Sequence, residues 1–299
     1  VRIFSGRRSR NRKKPDETDD RASGAKPNEG DDSAAKSPTA AAEDWCKKGD
    51  ALYSRARFED AINCFDKALE LELNPCEARA WDGKGLCLDA LGRHEESLRC
   101  YENALAIGPH DANVWCHRGD ALGRMGRYDD AVRDLDKALE LNPREAGAWV
   151  GAGLARNALG KCEEAVRCYD QALKLEPRSV AAWYNKGNSL CTSGRLEEAL
   201  LCFNEALVLD PEDARAWNNK GACLAGLGRY DEAAPCYDKA LEIDSSYAGA
   251  WRAKAVILER LGRTGEAVEA YKQFIALASA RDPGSVADVQ RHVRELEGG

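Results

Sequence analysis

The feature that most constrains this chain is the spacing of its tryptophans. Trp45, Trp81, Trp115, Trp149, Trp183, Trp217 and Trp251 are all seven in the sequence; the first pair lies 36 residues apart and every later pair 34. Four residues after Trp stands a small residue: Gly49, Gly85, Gly119, Gly153, Gly187, Gly221 and Ala255. Sixteen after come Ala61, Ser97, Ala131, Ala165, Ala199, Ala233 and Ala267, and twenty after come Phe65, Tyr101, Leu135, Tyr169, Phe203, Tyr237 and Tyr271. A period this long, held at several slots, is the signature of a solenoid.

Each period specifies two amphipathic helices. In helix A, Trp183, Gly187 and Leu190 fall on one face of a 3.6-residue period. Gly92, Gly126, Gly160, Gly194, Gly228 and Gly262 then suit left-handed C-caps. Helix B follows through Leu196, Ala199, Leu200, Phe203, Ala206 and Leu207, with Glu197 and Glu198 complementing the dipole of its first turn. Pro109, Pro143, Pro177 and Pro211 end helix B. The Gly and Ala slots belong where the two helices cross, because a larger side chain would push the axes apart. The aromatic and Trp slots fill the gaps around that crossing, each burial worth about 1.5–3 kcal/mol. The tryptophans are therefore expected in the core. Neither helix can bury its stripe alone, so each hairpin depends on its neighbours.

This pattern resembles the tetratricopeptide repeat over about residues 45–278, in seven copies. The resemblance implies an all-α solenoid, a right-handed superhelix of helix-turn-helix hairpins, and a role in binding other proteins. It implies binding on the concave face, made by helix A residues that point away from helix B. Chaperone-binding members clamp a carboxylate with Lys and Arg as well as Asn. Repeats five to seven offer Tyr184 and Asn188, Asn219, then Gly249 and Ala253, so the basic members of that clamp are missing.

Three segments are expected: a disordered tail with a basic arm at 1–41, the seven repeats at 42–278, and a C-terminal capping helix at 279–299. The tail is rich in Ser, Pro, Gly, Asp and Lys, with almost no bulky apolar residue after Phe4. Its Arg2, Arg7, Arg8, Arg10, Arg12, Lys13 and Lys14 precede any acid. Val1 to Phe4 is too short for the apolar region of a secretory signal, and the absence of an initial Met fits a truncated or unusual start. The net charge of −7 argues against non-specific nucleic-acid binding by the repeats. No apolar run is long enough to cross a membrane.

The chain carries twelve cysteines. Cys64, Cys100, Cys168, Cys202 and Cys236 share one slot, Cys87 and Cys223 another, Cys46 and Cys116 a third. Equal slots in successive hairpins stand about 10 Å apart, beyond disulfide reach, and no C-x-x-C offers zinc spacing. The expectation is small packing residues in a reducing cytoplasm, with no metal and no cofactor; His117 beside Cys116 makes no metal site.

Departures from the period mark local features. Two extra residues precede Pro75 and should loosen that junction. Repeat four carries Gly147, Gly151 and Gly153, with Arg156 where Leu is usual, and should have the weakest helix A. Pro235 inside helix B of repeat six predicts a local kink. Repeat seven places Phe274 in a usual Ala slot, and Ser285 can cap a last helix through Val286, Val289, Val293 and Leu296.

Helix A positions one, two, five and eight after Trp vary between copies and are the expected contacts. The polar cluster lies in repeats five to seven: Tyr184, Asn185, Asn188, Arg215, Asn218, Asn219 and Arg252. Asn offers a donor and an acceptor, so a row of Asn can grip an extended peptide backbone; Asn185 and Asn219, in equivalent slots, lead. Arg215 and Arg252 can take a ligand carboxylate bidentately. Asp50, Asp82, Asp89 and Asp120 make repeats one to three more acidic, and a peptide with a basic and an acidic part is expected to lie along both halves. The leading reading is thus a non-catalytic protein-interaction scaffold, with a protein or peptide partner and no catalytic residues, since paired carboxylates, a Ser-His-Asp set and a nucleotide loop are missing. The alternative is an adaptor whose basic arm contacts nucleic acid or an anionic membrane. Self-association through end faces or groove packing is a further reading.

Overall fold

A computed structural model describes residues 37–71, 76–278 and 283–298. Among them are fifteen helices and no strand. The described residues divide into two compact units, one up to Arg127 and the other from Tyr128.

The first unit holds α1 (Pro38–Tyr53), α2 (Phe58–Leu69), α3 (Cys76–Ala90), α4 (His94–Ile107) and α5 (Ala112–Arg124). The second holds α6 (Tyr128–Leu141), α7 (Ala146–Ala158), α8 (Cys162–Leu175), α9 (Val180–Thr192), α10 (Leu196–Leu209), α11 (Ala214–Gly226), α12 (Tyr230–Ile243), α13 (Ala248–Arg260), α14 (Thr264–Ala278) and α15 (Pro283–Gly298). Within each unit the fold is all-α, and hairpins of one A and one B helix stack on the next. Helix α1 starts at Pro38, with Ser37 capping it, so residues 38–44, tail-like by composition, are helical. The basic arm and the insertion before Pro75 lie outside the described residues.

The slots do what their sizes require. Ala61, Ser97, Ala131, Ala165, Ala199, Ala233 and Ala267 are wholly buried, and so are Tyr101, Tyr169 and Phe203. A Cβ on Gly85 would sit 2.6 Å from the Tyr101 ring, and one on Gly187 2.8 Å from Phe203, so the aromatic of helix B rests on bare backbone of helix A. All six C-cap glycines have φ between 73° and 78°. In the first hairpin Ala56 takes the same turn at φ 57°. Each B helix that precedes Pro109, Pro143, Pro177 or Pro211 ends two residues earlier.

The tryptophans are not full core residues, and here the expectation needs correction. All seven are half-buried. Their indole N–H groups donate to the carbonyls of Pro109, Pro143, Pro177, Pro211 and Ser245 at 2.9–3.0 Å in the last five copies. The wholly buried neighbour is the residue before Trp: Ala80, Ala148, Ala182, Ala216 and Ala250.

Gly151 and Gly153 are buried packing positions in α7, and Arg156 has a structural task. Elsewhere a Lys three after Trp reaches an Asp on the preceding B helix: Lys84–Asp66 at 2.6 Å, Lys186–Asp170 at 2.7 Å and Lys254–Asp238 at 2.6 Å. Repeat four has Ala152 in that slot, and Arg156, one turn on, makes the equivalent contact to Asp136 at 2.7 Å. Pro235 is the sixth residue of α12, past the first turn, so a backbone bond is lost inside the helix. Helix α15 begins at Pro283, which places Ser285 in its first turn rather than before it. Val286, Val289 and Val293 bury against Phe274, while Arg291, Arg294 and Glu295 face water.

Candidate functional site

Helices α9, α11 and α13 are the A helices of repeats five to seven, and the second unit brings most of the expected polar cluster together on α9 and α11. Asn219 Nδ2 donates to Asn188 Oδ1 at 2.8 Å and to Tyr184 Oη at 3.2 Å. Asn218 Nδ2 donates to Asn219 Oδ1 at 3.0 Å. The amides thus form a chain with one direction, each donating toward α9. Its two ends keep capacity: Asn188 accepts through Oδ1 with its own N–H pair uncommitted, and Asn218 Oδ1 is buried without a hydrogen-bond partner. A buried acceptor left so costs about 1–3 kcal/mol. Arg215 stacks over the Tyr184 ring at 5.1 Å and pairs with Asp213 at 3.2 Å.

Two expected contacts stand apart. Asn185 turns its Nδ2 back to the Ala181 carbonyl of its own helix at 2.8 Å, so it is not the counterpart of Asn219 despite the equal slot. Arg252 is exposed on α13 and stacks over Phe274 at 5.9 Å.

The cysteine expectation fails at one place. Cys191 and Cys223 meet as a sulfur pair between α9 and α11, with Cα atoms 6.8 Å apart, within disulfide reach. The comparison of equal slots missed it because Cys191 stands eight after its Trp and Cys223 six. The same offset joins Asn157 and Ser189, where the Ser Oγ donates to the Asn Oδ1 at 2.8 Å. A separation of 32, two short of the period, was the available signal. Elsewhere the packing reading fits: Cys46, Cys87, Cys100 and Cys202 are buried, and burial pushes the Cys87 thiol up to about 12.

Three of the four acidic positions of the first unit are engaged internally. Asp50 pairs with Arg79, Asp82 with His117 Nδ1 at 2.8 Å, and Asp89 with both Arg124 and His94 Nδ1. Burial alone would lower the His117 pKa, but the hydrogen bond to Asp82 and the nearby carboxylates leave it raised. Burial pushes half-buried Asp120 up to about 6, with Arg124 and His117 offsetting only part of that. These carboxylates are not a row of open charges awaiting a basic ligand. No group of three His, Cys, Asp or Glu among the described residues could hold a metal ion, and none of their helices is long and apolar enough to cross a membrane.

A family model described as the tetratricopeptide repeat matches residues 46–112, 155–210, 186–248 and 226–285, and a second of the same description matches 112–145. No curated protein matches the chain. Among solved structures, a tetratricopeptide repeat protein from Parabacteroides merdae is 17% identical over 85% of this chain and 99% of its own, with a TM-score of 0.62. The C-terminal part of a repeat-containing protein from Cytophaga hutchinsonii is 15% identical over 82% of this chain and 98% of its own, TM-score 0.63. YrrB, described as a TPR protein with an unusual peptide-binding site, is 24% identical over 64% of this chain and 97% of its own, TM-score 0.54. At these identities the likeness speaks for the fold.

Proposed function

The chain belongs to the tetratricopeptide repeat family, and from that premise we propose that it is a non-catalytic scaffold holding an extended segment of a partner protein along α9, α11 and α13. The observation that carries this reading is the directed amide chain of Asn218, Asn219 and Asn188. An extended peptide presents an N–H and a C=O at every residue. The uncommitted N–H pair of Asn188 meets a ligand carbonyl, and an amide cluster of this kind grips backbone whatever the ligand's side chains. Arg215, stacked on the Tyr184 ring beside the cluster, favours a ligand with a carboxylate. YrrB, with its peptide-binding site, is a relative of the same fold.

The test is site-specific photocrosslinking in native lysate. A benzophenone side chain placed at Asn185, on the A-helix face, should capture a partner; one at Glu205, exposed on α10, should not. Joint Asn188→Ala and Asn219→Ala substitution should then abolish the capture. Equal capture at both faces, or capture unchanged by the double substitution, would overturn the assignment.

A further inference from the structure

The Cys191–Cys223 sulfur pair between α9 and α11 lies on the helix faces that carry the amide cluster. Cys191 is three residues beyond Asn188 on α9, and Cys223 is four beyond Asn219 on α11; residues so spaced share a helix face. The two helices are therefore joined twice, once by the 2.8 Å hydrogen bond between Asn219 and Asn188 and once, about 5 Å further along, by the sulfur pair. We propose that Cys191 and Cys223 are a reversible disulfide site for low-molecular-weight thiols, and that closing it holds α9 and α11 at the spacing the amide cluster needs. The second half of this statement rests on the peptide-binding reading above; the first does not.

Two observations support a thiol site rather than a chance approach. The slot pair, eight after one Trp and six after the next, is a built contact, since Asn157 and Ser189 fill it with a hydrogen bond between α7 and α9. Cys87 occupies the same slot as Cys223 in repeat two, where the facing residue is Tyr53, and it remains a free thiol. Access is also asymmetric: Cys223 is 1% exposed, while Cys191 is half-buried and so the more accessible of the two. The exchange balances with glutathione disulfide as oxidant. The Cys191 thiolate attacks it, forming a mixed disulfide and releasing one glutathione thiolate. Cys223 sulfur then attacks the Cys191 sulfur and expels the second. Two protein thiols are oxidised, one small disulfide is reduced to two thiols, and the two protons end on glutathione. Reduction runs the same steps backwards, entering at Cys191.

The experiment uses the full chain, equilibrated with glutathione at ratios from reducing to oxidising, alkylated, digested and read by mass spectrometry. The expected product under oxidising conditions is a peptide pair linked through Cys191 and Cys223, absent in Cys191→Ser, with Cys87 unlinked throughout. Amide exchange in α9 and α11 should be about tenfold slower in the oxidised chain, and independent of glutathione ratio in Cys191→Ser. Alkylation of both thiols in the native chain at high glutathione disulfide would overturn the site. A linked pair with identical exchange in both states would overturn the coupling to the cluster. Neither readout involves a partner, so each proposal can fail without the other.

Discussion

The A helices of the two units carry different chemistry on equivalent slots. In the first unit, α3 and α5 meet through charged and titratable groups: Asp82 with His117, and Asp89 with Arg124. In the second, α9 and α11 meet through neutral amides, a phenol and a sulfur pair. The contact between slots one and two after Trp is therefore written once in groups that answer to pH, Asp82 with His117, and once in neutral ones, Tyr184 with Asn219, while the sulfur pair joins slots eight and six. Slot equivalence in a repeat array fixes where side chains meet, and it leaves open what they do when they meet.

The largest expected effect comes from breaking the sulfur pair. Closing a loop with a sequence separation of 32 stabilises by about 3–4 kcal/mol in the chain-entropy account. Dithiothreitol should lower the thermal midpoint of the second unit, read by temperature-dependent amide exchange, and leave the first unit unchanged. The Cys191→Ser chain should show no dithiothreitol effect in either. A first unit as sensitive as the second would erase the redox side of the contrast.

Next in size is the response to pH, which should belong to α3 and α5. Asp120 has a folded pKa of about 6 against an ordinary 3.8, so the folded chain holds this proton more tightly than the unfolded one. Its contribution is present below the ordinary value and declines as pH rises from there through about 6, by about 3 kcal/mol. His117, with its folded pKa raised, contributes below its ordinary value of about 6.5 and loses that contribution as pH rises through the folded one. Local stability of α3 and α5, from exchange corrected for intrinsic rates, should fall over this window. Asp120→Asn should remove the lower part of the fall and keep the upper. The amides joining α9 to α11 do not titrate there, so a matching fall at that contact would break the comparison.

A smaller difference separates two asparagines in equal slots. Asn219→Ala removes bonds to Asn188 and Tyr184 and should cost about 1 kcal/mol, measured as a shift in denaturant midpoint. Asn185→Ala removes a bond to its own helix carbonyl, partly exposed, and should cost less than about 0.5 kcal/mol. The pair shows how far the sequence could be read. Helix boundaries, glycine caps and the aromatic-on-glycine crossing were legible because each arises within one hairpin, from period and side-chain size. Contacts between successive A helices were not, because they join unequal slots. Asn219 meets Tyr184 and Asn188, and Cys191 meets Cys223, through offsets that depend on how one hairpin is rotated against the next. The half-burial of the tryptophans was hidden too: in the last five copies the indole N–H serves a carbonyl six residues back, a constraint that hydrophobicity does not express.

The last expected effect concerns the turn between helix A and helix B. Six copies place glycine there with positive φ, and repeat one places Ala56 at φ 57° with the same closing bonds, Ala56 N–H to the Tyr53 carbonyl and Arg57 N–H to that of Leu52. In the second unit Gly194 N–H bonds to Cys191 and Arg195 N–H to Leu190 in the same way. A left-handed residue with a Cβ is disfavoured by roughly 1–2 kcal/mol, offset in part because glycine loses more backbone entropy on folding, about 0.5–1 kcal/mol. Ala56→Gly should therefore stabilise the first hairpin by about 0.5–1 kcal/mol, and Gly194→Ala should destabilise the second unit by about the same amount. Nothing lies within 4 Å of a Cβ added at Gly194, so the change tests backbone conformation without a packing clash. Denaturant midpoints moving in opposite directions for the two variants would tie the difference between these turns to the single methyl group. Equal or same-sign shifts would mean that the first hairpin closes for a reason other than the one shared by the six glycine turns.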